Sequence, residues 1–249
     1  MHSFVDLDRV LGAVPAPVVM TLRDIDRGQG SEGLYLNQVP DLLTELANRA
    51  RVASITASSA LEGVVVKNHS RAAAIMANKP IELRTRSEQE LAGYRAALDY
   101  LFAEDWRPLN VDLLLHLHRL LFAETKATGG TFKASDNLVV DRSPEGVQTV
   151  RFKPVPAART EYYAADLIGR YADAVKANQH HPVLLVGLFV LDLLIIHPFD
   201  DGNGRVARAL TNALLAEAGY GVGRYVSLEQ LIAESADDYY QALLDSTHD

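Results

Sequence analysis

The chain has 249 residues, 48% of them apolar and 22% charged, the ordinary balance of a globular protein large enough to bury a sizeable core. Its formal charge of −8 argues against a generally basic nucleic-acid or membrane surface but permits a local basic pocket. It has no cysteine, which excludes disulfides, thiolate metal sites and cysteine nucleophiles and fits a reducing, cytoplasmic location.

The opening MHSFVDLDRVLG mixes acidic and basic residues with apolar ones and lacks a secretion-signal pattern. Pro15, Pro17 and the glycines at 28, 30 and 33 predict an irregular lead-in over residues 1–34, before one domain over 35–249. Val39, Leu42, Leu43 and Leu46 repeat at helical spacing, and a second helical segment runs from Arg51 to Leu61 with Gly63 as its C-cap. Ser87 and Glu90 fit a capping box for a helix reaching Phe102, and Trp106 anchors the chain before a turn at Arg107-Pro108. Asn110 can cap the helix containing LLLHLHRLLF, in which His116 and His118 face different sides and read as structural rather than as a metal pair.

Residues 131–152, TFKASDNLVVDRSPEGVQTVRF, break the helical pattern: NLVV and VQTVRF read as short strands joined by the turn chemistry of DRSPEG. An amphipathic helix follows from Ala157 to Ala177. His180 and His181 precede Pro182 and suit a cap or turn. The apolar run Val183–Ile196 is shorter than the roughly 20 residues of a membrane span and predicts a buried core helix, with Asp192 hydrogen-bonded locally. A helix over 205–218, a cap at Ser227 and Gln230 and short terminal helices complete an all-α domain with one β-hairpin.

Directly after the apolar run, residues 197–208 read HPFDDGNGRVAR. His197 titrates near neutral pH and suits a general base. Pro198 disfavours helical geometry at His197 and turns the chain there. Phe199 suits an anchor to the core, and Asp200 serves the turn. Gly202, Asn203 and Gly204 permit a tight turn whose backbone N–H groups face one point at a helix N-terminus, an anion site. Arg205 and Arg208 follow at i, i+3 on that helix, where cations oppose the macrodipole unless an anion lies between them. Asp201 can hold a magnesium ion that bridges phosphates. The parts describe a polyphosphate cradle with a base at its edge.

The stretch matches the Fic family signature H-P-F-x-[D/E]-G-N-G-R-x-x-R at every fixed position, and the chain resembles that family over roughly residues 35 to 245. The resemblance implies a helical fold with a hairpin flap at 130–153 before the catalytic motif. It implies protein adenylylation, the transfer of AMP from ATP to a Tyr, Ser or Thr hydroxyl. His197 would deprotonate that hydroxyl and Asp201 would coordinate magnesium on the α- and β-phosphates. Gly202, Asn203 and Gly204 would cradle the phosphates, with Asn203 on the α-phosphate, Arg205 on the β-phosphate and Arg208 on the γ-phosphate. The flap would bind the target as an added strand, with Lys133 where many relatives carry arginine. Many relatives form dimers, and the target is a protein the sequence does not name, the chain itself included. Tyr162, Tyr163, Tyr239 and Tyr240 offer hydroxyls that nothing separates from packing residues. No membrane or nucleic-acid partner is expected.

Ser58 to Gly63, SSALEG, resembles the family's inhibitory motif [S/T]-x-x-x-E-[G/N] through Ser58, Glu62 and Gly63, in the class with an N-terminal inhibitory helix, here near 51–63. It implies that Glu62 pairs with Arg208 and takes the place of the γ-phosphate. Two other readings stay open: a Fic enzyme that uses another nucleotide donor or removes AMP, and a regulatory module that holds a nucleotide without turnover.

Overall fold

The computed structural model describes residues 3–36, 40–103, 106–142 and 148–247. Its helices are α1 (Leu7–Leu11), α2 (Ala16–Leu36), α3 (Pro40–Leu61), α4 (His69–Met76), α5 (Arg86–Phe102), α6 (Val111–Phe122), α7 (Ala157–Ala177), α8 (Pro182–Ile196), α9 (Asn203–Glu217), α10 (Leu228–Glu234) and α11 (Ala236–Asp245). Between α6 and α7, β1 (Val139–Arg142) and β2 (Gln148–Phe152) form an antiparallel hairpin. The all-α fold with a single hairpin is therefore as the sequence predicts. Of the predicted turn DRSPEG, 141–142 belong to β1 and the rest, like Val39, lies outside the described residues.

The apolar helix α8 lies between α7 and α9, while α5 packs along α6 and α3 against α10 and α5. A helix apolar on all sides must be covered, and Leu185, Val186, Phe189, Leu193 and Ile196 are all buried. The result carries α8 through the core and delivers its C-terminal end, at His197, to one edge of it. Among the described residues no helix is long and apolar enough to cross a membrane.

Local caps explain most boundaries. The Asn110 side chain accepts from the Leu113 N–H at 2.7 Å to start α6, and Ser227 accepts from the Gln230 N–H at 3.0 Å to start α10. Helix α3 ends in a Schellman motif: the Val64 N–H donates to the Ser59 carbonyl (2.9 Å) and the Gly63 N–H to the Ala60 carbonyl (2.9 Å), with Gly63 at φ +74°. The hairpin has a bulge, since Val139 pairs with Phe152 but Val140 with Val150.

The structure departs from the sequence reading in five places. The lead-in is not irregular but helical from Ala16, because Pro15 and Pro17 fall at a helix start, where a missing N–H costs nothing. That helix is held to the domain: Asp26 accepts from the Tyr220 hydroxyl at 2.7 Å and lies 3.1 Å from His181 Nε2. The two segments predicted around 39–46 and 51–61 form one helix, α3. The cap of α5 is Thr85, whose hydroxyl accepts from the Glu88 N–H at 3.2 Å, and not Ser87. Glu88 closes the box by accepting from the Arg84 N–H at 2.6 Å. Helix α4, capped by Asn68, went unpredicted because its alanine-rich turn has little apolar contrast. Asp192 reaches far beyond its own turn: it accepts from the backbone N–H and hydroxyl of Ser3, at 2.7 and 2.8 Å, 189 positions away.

Leu117 is fully buried where α6 meets the core. Leu117→Ala is expected to cost about 2–5 kcal/mol, read as a lower urea midpoint at unchanged slope.

Candidate active site

His197 is the C-cap of α8, at φ 50° and ψ 62°, with its N–H donating to the Leu193 carbonyl at 3.0 Å. This left-handed geometry is one way to leave a helix before Pro198, which bars the right-handed one. The imidazole Nδ1 lies 3.3 Å from the Leu194 carbonyl. A proton on Nδ1 satisfies that carbonyl and leaves the Nε2 lone pair as the ring's free base position. Burial lowers the His197 pKa, with Lys133 adding to the shift and the Leu194 contact, Glu62 and Asp201 opposing it. The ring is thus biased toward its neutral, proton-accepting form.

The loop after His197 is fixed from below. Phe199 is fully buried and stacks on His118, with ring centroids 3.8 Å apart and planes 9° apart. The His118 Nδ1 accepts from the Gly130 N–H at 2.9 Å, which puts the ring proton on Nε2, 3.1 Å from the Asp201 carbonyl. His118 is therefore a structural histidine, and it joins the loop to the segment leading into the hairpin. Asn203 closes the loop: its Oδ1 accepts from the Phe199 N–H (2.9 Å) and its Nδ2 donates to the Phe199 carbonyl (2.8 Å).

Gly202, at φ +82°, is the N-cap of α9, and no side chain caps that helix. The N–H groups of Asn203, Gly204 and Arg205 open the helix and have no carbonyl within it to receive them. Arg208, one turn on, is 2% exposed. Its Nε donates to the Ser58 hydroxyl (2.8 Å) and its Nη2 to the Ser58 carbonyl (3.0 Å) and to Glu62 Oε1 (2.7 Å). Burial acts to lower the Arg208 pKa, but Glu62 beside it more than offsets this and the net shift is upward. The Glu62 carboxylate also lies against the start of α9, since a Cβ on Gly204 would sit 2.3 Å from its Oε1. An anion thus already occupies the N-terminal end of α9, and it comes from α3.

His197, Gly204, Arg208 and Glu62 line one cavity of about 460 Å³. Its other walls are apolar side chains of α8, the hairpin residues Val139 and Phe152, and Tyr239 and Tyr240 of α11. Burial raises the pKa of both tyrosines. Tyr162 is instead 68% exposed on α7.

Three residues expected to meet phosphate, Gly202, Asn203 and Arg205, do not line this cavity. The Asn203 amide is engaged inside the loop, as above. Arg205 is 1% exposed, donating from Nη1 to Glu90 Oε2 at 2.6 Å and from Nη2 toward Asp201 at 3.3 Å, with its guanidinium 5.4 Å from the Phe122 ring centre. The buried Glu90 partner takes Arg205 inward, and the sequence had assigned Glu90 to a capping box. Asp201 is half exposed, between Arg205 and Arg86 (3.2 Å), and accepts from the Gly202 N–H at 2.6 Å. Among the described residues no three His, Asp or Glu side chains converge as a metal cage. One exposed carboxylate does fit magnesium, which commonly takes one or two protein carboxylates and completes its shell with phosphates and water.

A sequence model of the Fic/DOC family matches residues 108–215. The chain is 31% identical over 134 residues to the protein adenylyltransferase Fic of Drosophila grimshawi, an alignment covering 53% of this chain and 26% of that protein. The Drosophila melanogaster protein of the same name is 28% identical over 134 residues, covering 53% of this chain and 25% of that one. The chain thus spans about a quarter of the length of these curated relatives. In structure it is similar to a Fic family protein of Desulfovibrio desulfuricans, with TM-score 0.71 at 23% identity over 92% of this chain and 66% of that one. A Fic domain containing signaling protein of Bacteroides thetaiotaomicron gives TM-score 0.70 at 21% identity over 89% of this chain and 80% of that one. These structural likenesses establish the fold.

The His118 pKa is pushed down from 6.5 to about 4, chiefly by burial. The native chain then binds fewer protons than the unfolded chain between these values. Its contribution is complete above about 6.5 and is lost as pH falls toward 4. Between pH 7 and 5, urea titrations should show an acid loss of stability smaller by on the order of 1–2 kcal/mol in His118→Gln than in the native chain.

Proposed function

We propose that this chain, whose residues 108–215 match the Fic/DOC family model, transfers AMP from ATP to a protein hydroxyl and that Glu62 holds it inactive. The observation that carries this reading is the Glu62–Arg208 pair at 2.7 Å beside His197, in one cavity. A carboxylate between a buried arginine and the open N–H groups of a helix is where a phosphate binds.

With Glu62 withdrawn, Arg208 and the first N–H groups of α9 receive the terminal phosphates of ATP, while the loop around Gly202–Gly204 holds the α-phosphate. The target hydroxyl then attacks the α-phosphorus in line. Its proton passes to Nε2 of His197, the new O–P bond forms, and the bond to pyrophosphate breaks. Pyrophosphate leaves with its charge against Arg208. Asp201 would hold magnesium, which would supply charge neutralisation there. The inward ion pair of Arg205 with Glu90 keeps the loop in shape rather than touching the nucleotide.

The target is presented at the hairpin. Among the described residues the sheet has two strands, so each strand keeps one edge with unpaired N–H and C=O groups. An extended segment of the target adds there as a further strand, close to the cavity that Val139, Val140 and Phe152 help to line.

Label transfer from α-phosphate-labelled ATP tests the reading. Glu62→Gly is expected to label protein at least about tenfold faster than the native chain. Adding His197→Ala should remove about 10²–10⁴-fold of that rate. Equal labelling by the native chain and Glu62→Gly contradicts the inhibitory role. Tight ATP binding without labelling by Glu62→Gly favours a nucleotide-holding module.

A further inference from the structure

Lys133 is almost fully buried, although nothing pairs it directly with a carboxylate among the described residues. Its backbone N–H donates to the Pro198 carbonyl at 2.9 Å, and its Nζ donates to the Ile196 carbonyl at 3.2 Å. Those are the carbonyls on either side of His197. Nζ also donates to Asn137 Oδ1 (2.9 Å), whose Nδ2 donates to the Phe199 carbonyl (3.1 Å). Residues 133 and 137 thus hold three carbonyls along 196–199. Between them sits the one residue of the motif with a side chain in left-handed geometry, a conformation that costs roughly 1 kcal/mol or more and persists only when its surroundings impose it.

The geometry points to Lys133 as the positioning residue of the base: it fixes the backbone on both sides of His197 and thereby the direction of the imidazole. This rests on the reading of His197 as a base and adds to it. The ammonium also bears on the charge of the ring. Lys133 faces His197 from the segment before β1, Glu62 from the end of α3, and Asp201 from the loop, while Arg208, Arg151 and the Tyr239–Tyr240 pair share the cavity. Lys133 disfavours the imidazolium, and Glu62 and Asp201 favour it. Without Glu62, the Lys133 charge opposes protonation with one fewer carboxylate against it. The same side chain that aims the base therefore adds to the burial that favours its neutral form when the cavity opens.

Two readouts in the Glu62→Gly chain test this: NMR titration of the His197 ring with labelled histidine, and the split of kcat from KM for ATP. Lys133→Gln is expected to raise the His197 titration. It should lower kcat about tenfold or more while KM for ATP moves less than about threefold, as displacement of a base and not of a phosphate site requires. Lys133→Arg, which retains charge and donors, should restore the titration and most of kcat. Asn137→Ala removes the side-chain acceptor of Nζ and the bond to the Phe199 carbonyl but leaves both Lys133 contacts that flank His197, so it should give a smaller loss of kcat, which keeps the test open if Lys133→Gln does not fold. A His197 titration and a kcat unchanged in both Lys133→Gln and Asn137→Ala overturn the inference. If the Glu62→Gly parent transfers no AMP, the functional reading fails, while the titration still decides the role of Lys133.

Discussion

A guanidinium withdrawn from water requires an anion beside it, and the site is organised around how Arg208 meets that requirement. Its side chain lies behind Ser58, which takes two of its hydrogen bonds, so only one direction remains for a charged partner. In this structure that partner is Glu62. Breaking a fully buried ion pair costs about 3–5 kcal/mol, whereas an exposed one is worth under about 1 kcal/mol. With Arg208 buried and the Glu62 side chain 29% exposed, the pair falls between these limits, strong enough to persist and open enough to be displaced. A triphosphate brings more charge than one carboxylate and can reach the same guanidinium and the same helix N-terminus.

The fold supplies each partner from a different element. Helix α3 ends in a Schellman motif that stops it at Gly63 and leaves the Glu62 side chain over Gly204. Helix α8, with one side against the cavity and the rest mostly packed in the core, ends at His197. Helix α9 begins without a side-chain cap, so its N-terminal charge is available to an anion. Between α8 and α9 the loop is rigid because its polar groups are turned inward, toward His118, Asn203 and the Arg205–Glu90 pair. Burial biases the base toward its neutral form, and the carboxylate beside the cation favours its charged form. These opposite shifts within one cavity suit acid–base chemistry on a phosphorylated ligand.

Local features were legible in the sequence, and long-range ones were not. The helix caps at Asn110 and Ser227, the Gly63 terminus, the apolar α8 and the hairpin strands depend on neighbours within a few positions, so spacing reveals them. The twelve residues from His197 likewise show their residue types in one stretch. Lys133, His118 and Glu90 act on that stretch from 64 to 115 positions away, and nothing in their own neighbourhoods marks them. Glu90 was misread because Ser87-x-x-Glu90 and Thr85-x-x-Glu88 overlap as capping patterns, and only the distant partner Arg205 separates them. Arg205 was assigned outward because helical spacing puts it near Arg208, whereas the buried carboxylate of α5 turns it inward. The lead-in looked irregular because its prolines and glycines were counted without their position relative to a helix start.

The central claim is that Glu62 stands where the terminal phosphates of ATP bind, and calorimetric titration of ATP and AMP into the native chain and Glu62→Gly tests it most directly. In this account AMP, which lacks the terminal phosphates, does not extend to Arg208. The account predicts that Glu62→Gly tightens ATP binding at least about tenfold, or about 1.4 kcal/mol, and changes AMP binding by less than about threefold. Equal changes for the two nucleotides, or none for ATP, would contradict it.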